Sequence, residues 1–288
     1  GVNYKDAMAV TATGKILKNF PLTPGIDVAG EIVESTSSQF KKGDKVLING
    51  SGLGENIDGG FSEYVRAPDS IVVPLPEGLS TREAMILGTA GFTAALCVKR
   101  MEVNGQKPEM GPILVTGASG GVGSIAVQIL ARRGYEVVAV SGKSTAVDLL
   151  KSYGAQQVLS PSNLNLGQRP LESARWAGAI DNVGGELLAG IIRHIQLWGN
   201  VASVGLADSA QLHTTVMPFI LRGVSLLGAS SANCPIHLKQ EIWQDLGANW
   251  KPLHLDNMIN SELHLEDIRE YSEQLLARQK MGRALVKL

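Results

Sequence analysis

A chain of 288 residues is long enough for two domains of ordinary size, each with a core of its own. Only 18% of it is charged and the formal net charge is -1, so it carries no basic field to draw nucleic acid or an anionic membrane. Small molecules and other copies of the chain are the partners that remain, and Arg222 interrupts the candidate apolar run Pro218 to Ala229, short of the roughly 20 residues of a bilayer span.

The opening residues Gly1 to Asp6 lack the basic and apolar regions of a signal peptide, and the two cysteines, Cys97 and Cys234, fit a reducing cytoplasm. With five scattered histidines and no Cys-x-x-Cys pair, no cluster has the spacing of a zinc site, and no metal is expected. Short β segments come first: Asp27 to Glu34, Lys45 to Ile48, Phe61 to Arg66 and Ile71 to Pro74. Glycine and proline punctuate them in the manner of a small antiparallel, barrel-like module. After Pro76, Ser80 reads as an N-cap with Glu83 at capping-box spacing, opening an apolar helix from Arg82 towards Leu87.

From Pro112 to about Gly228 strand-like runs alternate with helical patterns. The runs are Ile113 to Thr116, Val137 to Val140, Gln157 to Leu159, Ala179 to Val183, Val201 to Val204 and Val224 to Leu227. Such alternation predicts an α/β fold with a doubly wound parallel sheet covered on both faces, the dinucleotide-binding architecture. Trp176 and Trp198 flank these strands and read as packing residues, as does Cys97 on an apolar helix face. A helical pattern from Glu266 to Leu276 follows, and Gly282 precedes a strand, Ala284 to Leu288, that would return to the first module.

The strongest local signal is Gly117-Ala118-Ser119-Gly120-Gly121-Val122-Gly123, directly after a buried-strand run. Residues without Cβ let backbone N–H groups approach a pyrophosphate, and the following helix aims its positive end at that charge. Val122, Ile125, Ala126, Ile129 and Leu130 mark that helix, and Gly134 suits its C′ position. About twenty residues after the turn an NAD site commonly places a carboxylate for the ribose hydroxyl. Here stand Ser141, Gly142 and Lys143, a hydroxyl, a free backbone N–H and an ammonium that suit a 2′-phosphate. NADPH is therefore the expected cofactor; if Lys143 merely opens the next helix in solvent, NAD stays open.

Several motifs together resemble the medium-chain dehydrogenase/reductase superfamily and its zinc-free quinone oxidoreductase branch. They are Asn3-Tyr4-Lys5-Asp6, Pro24 to Gly30, Gly59 to Tyr64, Gly88 to Ala94 and the glycine turn. With Trp176 to Asp181 and Thr215 to Arg222, the chain looks like the bacterial NADPH-dependent acrylyl-CoA reductases. The resemblance implies a Rossmann NADP-binding domain over residues 88–232 and a GroES-like β-barrel catalytic domain over 1–87 and 233–288. Family members carry further residues before the first motif, so the resemblance also implies an N-terminally truncated GroES-like domain, with sheet edges left open there.

Zinc-dependent relatives place a cysteine near the first motif and Gly-His-Glu in the second; this chain has neither. Hydrogen-bond donors would then polarise the acceptor, which suits conjugate reduction of an enoyl thioester such as acrylyl-CoA, giving propionyl-CoA. By the same resemblance Tyr4 lies against the cofactor; Tyr4 or a water would supply the proton, with Asn3 and Asp6 as catalytic companions. Asn3 and Asp6 have an alternative reading as groups that bond local backbone at a helix start. Ser119, Gly120, Gly121 and Val122 would hold the pyrophosphate, and Ser141, Gly142 and Lys143 the 2′-phosphate. Leu206, Ile220 and Ser231 would line the nicotinamide side, and Arg278 would close over it. Relatives also use an arginine after the third strand, where this chain reads Ser160-Pro161-Ser162. A quinone or enone reductase is the competing enzyme, and an NADPH-binding sensor without turnover the competing class. By analogy with relatives, the apolar edge Val224 to Leu227 would pair across a two-fold axis in a homodimer.

Overall fold

The computed structural model describes residues 1–288, and these divide into two compact units. One comprises Gly1–Phe92 with Ser231–Leu288, the other Thr93–Ser230.

The first unit opens with a short helix, α1 (Tyr4–Val10), followed by β1 (Asp27–Glu31), β2 (Lys45–Asn49) and β3 (Val73–Pro74). These strands form one antiparallel sheet in the order β1-β2-β3, with Asp27 opposite Asn49 and Val46 opposite Pro74. Phe61 to Arg66, expected as a strand, is irregular. The reason lies just before it. A Cβ on Gly59 would come within 2.4 Å of the Gly25 carbonyl, and one on Gly60 within 2.2 Å of that of Asp27. The backbone thus crosses the 24–27 segment at close range, and the Phe61 N–H donates to the Pro24 carbonyl (3.1 Å) instead of joining a ladder. Phe61 itself is buried with Leu263, Ile268 and Tyr271.

Helix α2 (Thr81–Val103) begins as its cap predicts, with the Ser80 N–H on Glu83 (2.9 Å) and the Glu83 N–H on Ser80 Oγ (3.1 Å). It breaks at Gly88, where φ is +49°. This helix, rather than the stretch beginning at Pro218, is the most apolar long run of the chain; 78% of its most apolar window is buried within the fold, as in a core helix. The boundary between the two units falls inside it.

The second unit carries β4 (Ile113–Val115), α3 (Gly121–Arg132), β5 (Val137–Val140), α4 (Val147–Ser152), β6 (Gln157–Leu159) and β7 (Trp176–Asp181). It continues with α5 (Gly185–Ile192), β8 (Ile195–Ser203), α6 (Met217–Arg222) and β9 (Ser225–Gly228). All six strands are parallel in the order β6-β5-β4-β7-β8-β9, so chain direction switches sides between β4 and β7. Strands buried on both faces need near-continuous apolar runs. Leu114, Val138, Val140, Ala179 and Val201 supply them, packed on Leu188, Ile191 and Ile192 of α5. Trp176 packs in this core as expected, but Trp198 does not. Pairing along β7 jumps from Ile195 to Asn200, turning Leu197 and Trp198 outward and leaving Trp198 at φ +60° and 74% exposed.

The chain then returns to the first unit as α7 (Ile236–Gly247), β10 (Ile259–Leu263), α8 (Ile268–Leu276) and β11 (Arg283–Val286). β11 pairs in parallel with β10, and the Val2 N–H donates to the Ala284 carbonyl (3.0 Å).

Candidate functional site

In the second unit the glycine turn sits at the C-terminal end of β4, at the switch point where open α/β sheets bind ligands. Gly117 bends the chain at φ +57°. A Cβ on Gly123 would lie 2.4 Å from the Gly117 carbonyl oxygen, so only glycine lets α3 start this close to the strand. The Ser124 N–H is the first of the helix to find a backbone acceptor, the Gly120 carbonyl at 3.0 Å. The N–H groups of Gly121, Val122 and Gly123 precede it at the positive end of α3 and have no such acceptor. Three donors and a helix dipole converge there, a built site for a phosphate anion.

Buried side chains fix that turn from behind. Thr116 Oγ1 donates to Asp181 Oδ1 (2.7 Å) and accepts the Asn182 N–H (2.9 Å), while Asn182 Nδ2 donates to the Thr116 carbonyl (2.7 Å). The second oxygen of Asp181 accepts the Gly184 N–H (2.7 Å). Burial pushes the Asp181 carboxyl above its ordinary range. Sequence reasoning passed over Thr116, Asp181 and Asn182, whose pairing becomes visible only once β4 and β7 lie side by side.

At the end of β5, Ser141 Oγ donates to Ser119 Oγ (3.0 Å) and accepts the Lys143 N–H (3.1 Å). The structure therefore brings Ser119 to Val122 and Ser141 to Lys143 together. Gly142 is exposed and a Cβ there would meet nothing within 4 Å, which leaves room at its backbone for a ligand group. Desolvation lowers the Lys143 ammonium somewhat. Leu206, in the loop after β8, and Ile220, on α6, are 66% and 68% exposed in the same unit.

In the first unit, Tyr4 is the first residue of α1 and is 45% exposed, whereas Asn3 and Asp6 are buried. The Asn3 N–H donates to Asp6 Oδ2 (2.8 Å), a capping box, so the two residues act as groups that hold local backbone. Asp6 Oδ1 also accepts the Ile26 N–H (2.8 Å), and burial together with nearby Asp27 pushes its carboxyl up to about 6. Asn3 Nδ2 donates to Asp27 Oδ2 (2.6 Å), and Arg283 Nη1 donates to Asn3 Oδ1 (3.3 Å). Neither Asp27 nor Arg283 was singled out in the sequence: they lie far apart along the chain, and nothing local announces their pairing. Ser231 is half-buried in the segment after β9, where its carbonyl accepts the Cys234 N–H (3.4 Å), and Arg278 is exposed at φ +60° just after α8.

Residues 1–77 match the alcohol dehydrogenase GroES-like domain and residues 121–248 the zinc-binding dehydrogenase domain. Bacillus subtilis YhfP, named as a quinone oxidoreductase, is 46% identical over 100% of this chain and 88% of its own. The chain belongs to the medium-chain dehydrogenase/reductase superfamily. Within that superfamily it is an oxidoreductase of the quinone oxidoreductase type. The crystal structure of YhfP with NAD bound aligns at TM-score 0.97 over 100% of this chain and 88% of that one, at 45% identity. That of Escherichia coli K-12 YhdH with bound NADPH aligns at 0.95, 46% identical, over 99% and 88%. Acrylyl-CoA reductase AcuI of Ruegeria pomeroyi is 43% identical over 99% of this chain and 86% of its own.

A superfamily containing zinc enzymes raises the question of a metal. No group of three or more His, Cys, Asp or Glu side chains is placed to hold one. Where the zinc relatives place ligands, this oxidoreductase has Asn3 and the Gly25-Ile26-Asp27 segment, and Asp27 already accepts from Asn3 and Thr89. That donor set does not fit zinc. The glycine turn does fit a dinucleotide, since the N–H groups of Gly121, Val122 and Gly123 converge without a backbone acceptor at the positive end of α3, as a pyrophosphate requires.

Proposed function

We propose that this chain uses NADPH to reduce the conjugated C=C of a small enoyl thioester such as acrylyl-CoA, giving propionyl-CoA from that acceptor. The observation that carries the cofactor choice is the end of β5. Ser119 and Ser141 gather two hydroxyls there with the Lys143 N–H, beside the open Gly142 backbone, and Lys143 brings a cation where an NAD site commonly carries a carboxylate that would repel a 2′-phosphate. The N–H groups of Gly121 and Val122, with Ser119 and Gly120, take the pyrophosphate; Leu206, Ile220 and Ser231 line the nicotinamide side, and Arg278 closes over it. When bound, the cofactor supplies a hydride, which the β-carbon of the acceptor receives.

Tyr4 holds the proton at its hydroxyl and gives it to the α-carbon, directly or through a water. Its partial exposure suits that role, while Asn3 and Asp6 hold the backbone behind it. With no zinc-binding donor set, hydrogen-bond donors polarise the acceptor carbonyl, which favours a conjugated acceptor over a plain alcohol. The likeness to AcuI supports the thioester.

The likeness to YhfP favours a second reading, a quinone or enone reductase that accepts hydride into a conjugated carbonyl and uses NAD(H). Initial rates of NADPH and NADH oxidation with acrylyl-CoA, with benzoquinone and with neither separate the readings. Fastest turnover with NADPH and acrylyl-CoA is expected. Benzoquinone as the better acceptor transfers the assignment to the second reading, and binding of NADPH without turnover on any acceptor leaves a cofactor sensor.

The edge strand β9, with exposed Leu226, supports pairing of two copies into a homodimer, for which sedimentation equilibrium should return twice the chain mass. A single-chain mass at micromolar concentration would reject it. Two unpaired cysteines, with burial pushing the Cys97 thiol well up and out of reactivity, suit a reducing cytoplasm.

A further inference from the structure

We infer that Asp27 and Arg283 are positioning residues for the reduction, fixing the backbone from which Tyr4 works. The inference rests on the role proposed above for Tyr4. Helix α1 has seven residues, too few to define its own direction when helices below about 12 residues are marginal in water. Its start is set instead by groups distant in sequence. Arg283 Nη1 donates to the Val2 carbonyl (3.0 Å) and to Asn3 Oδ1 (3.3 Å), and its Nε donates to the Ile86 carbonyl (2.8 Å). Asp27 receives the other end of the Asn3 amide at 2.6 Å. Both ends of the side-chain amide of the residue immediately before Tyr4 are thereby tied to β1 and β11, while its backbone N–H and carbonyl bond to Asp6 and Ala7 within the start of α1.

Asp27 is itself over-determined. It accepts the Thr89 N–H (2.9 Å) and Thr89 Oγ1 (2.6 Å), at the point where α2 restarts after its break. A carboxylate at that restart meets the positive end of the new helical segment. A Cβ on Gly88 would lie 2.3 Å from Asp27 Oδ2, so the break and the glycine make room for the carboxylate. The Arg283 guanidinium stands 3.9 Å from Asp27, with side chains 3% and 0% exposed. So deeply buried a pair touches no substrate; it acts through Asn3. Because Tyr4 follows Asn3 directly, any rotation of the Asn3 peptide displaces the tyrosine, and a displacement of about 1 Å can cost roughly 100-fold in rate.

Arg283→Lys keeps the charge but loses the fork of donors that spans Val2, Asn3 and Ile86. With the better acceptor of acrylyl-CoA and benzoquinone, its kcat should fall about 10- to 100-fold. NADPH affinity, read by cofactor fluorescence, should stay within about twofold, because only a step beyond binding is disturbed. In a Tyr4→Phe background the same substitution should cost less than about threefold more, since residues acting as a unit are non-additive. If Tyr4→Phe slows turnover and Arg283→Lys multiplies that loss in full, the positioning role is wrong while the tyrosine role stands. If Tyr4→Phe turns over at the wild-type rate, the tyrosine role falls and the positioning role with it. Asn3→Ser covers the case in which Arg283→Lys does not fold. Serine caps a helix as well as asparagine but cannot reach Asp27 and Arg283 together. It should show the same non-additive loss of kcat, and a wild-type kcat in Asn3→Ser would overturn the inference.

Discussion

In the nucleotide-binding unit Thr116, Ser141 and Asp181 are buried polar groups at strand ends, and Asp181 is the one buried carboxylate, bracing a turn. In the first unit four charged residues, Asp6, Asp27, Lys239 and Arg283, are buried among irregular segments. Lys239 donates to the Asn49 carbonyl (2.6 Å) and to Ser51 Oγ (2.7 Å), while Arg283 donates to the carbonyls of Val2 and Ile86. A parallel sheet satisfies its own backbone and can afford an apolar interior; a unit with short strands and many loops must recruit side chains to satisfy carbonyls that no ladder reaches. Specificity in the first unit thus depends on charge, and in the second on packing.

Removing Asp27 should separate the two most sharply. Asp27→Ala leaves Arg283 uncompensated and Asn3 and Thr89 without their acceptor, and loss of one partner of a buried pair costs about 3–5 kcal/mol. Hydrogen exchange should quicken across α1, β1 and β11 while β4, β5 and β7 keep their protection. Equal quickening in both units would dissolve the contrast.

A smaller effect, on binding, is expected from Gly123→Ala. The added methyl would sit 2.4 Å from the Gly117 carbonyl and 2.7 Å from Ala118 Cα, both backbone that cannot swing away. NADPH affinity should fall by about 10- to 100-fold, since the phosphate donors are displaced together. Titration with ADP-ribose phosphate would show whether the loss lies in the turn; unchanged affinity would mean that α3 can shift without cost.

Smallest is a pH effect confined to the first unit. Burial and nearby Asp27 hold the Asp6 carboxyl at about 6, above an unfolded value of about 4. Between those values the folded chain binds more protons than the unfolded one, so stability should fall as pH rises from about 4 to about 6. Asp6→Asn should flatten the dependence of Tm on pH in that window. A slope unchanged by the substitution would assign it to another group.

Reading the sequence worked where local pattern and final structure coincide. Val137–Val140 is the strand expected, because a run buried on both faces has no other place to go, and Gln157–Leu159 forms as expected at the sheet edge beside it. The Ser80–Glu83 cap and the Gly134 turn were equally legible, being set by neighbours a few residues away. Phe61 to Arg66 has strand composition, but the approach of Gly59 and Gly60 to the 24–27 backbone decides its course. Trp198 reads as core, yet the register jump along β7 turns it outward. β10 (Ile259–Leu263), with Asn260, Ser261 and Glu262 inside it, carries too little apolar signal to register. At the site, Tyr4 and the glycine turn stand in compact motifs. Asp27 and Arg283 depend on contacts across most of the chain, which no window of sequence contains.

The bond from Arg283 to Asn3 spans 280 residues. At the roughly 5–20 residues per second of chain synthesis, the segment carrying Tyr4 leaves the ribosome on the order of tens of seconds before its guanidinium partner exists. The nucleotide unit, whose sheet is complete by Gly228, can fold within that interval. Maturation is therefore timed by synthesis of the segment that carries Arg283, and a nascent chain stalled before residue 283 should bind NADPH before it gains catalytic competence.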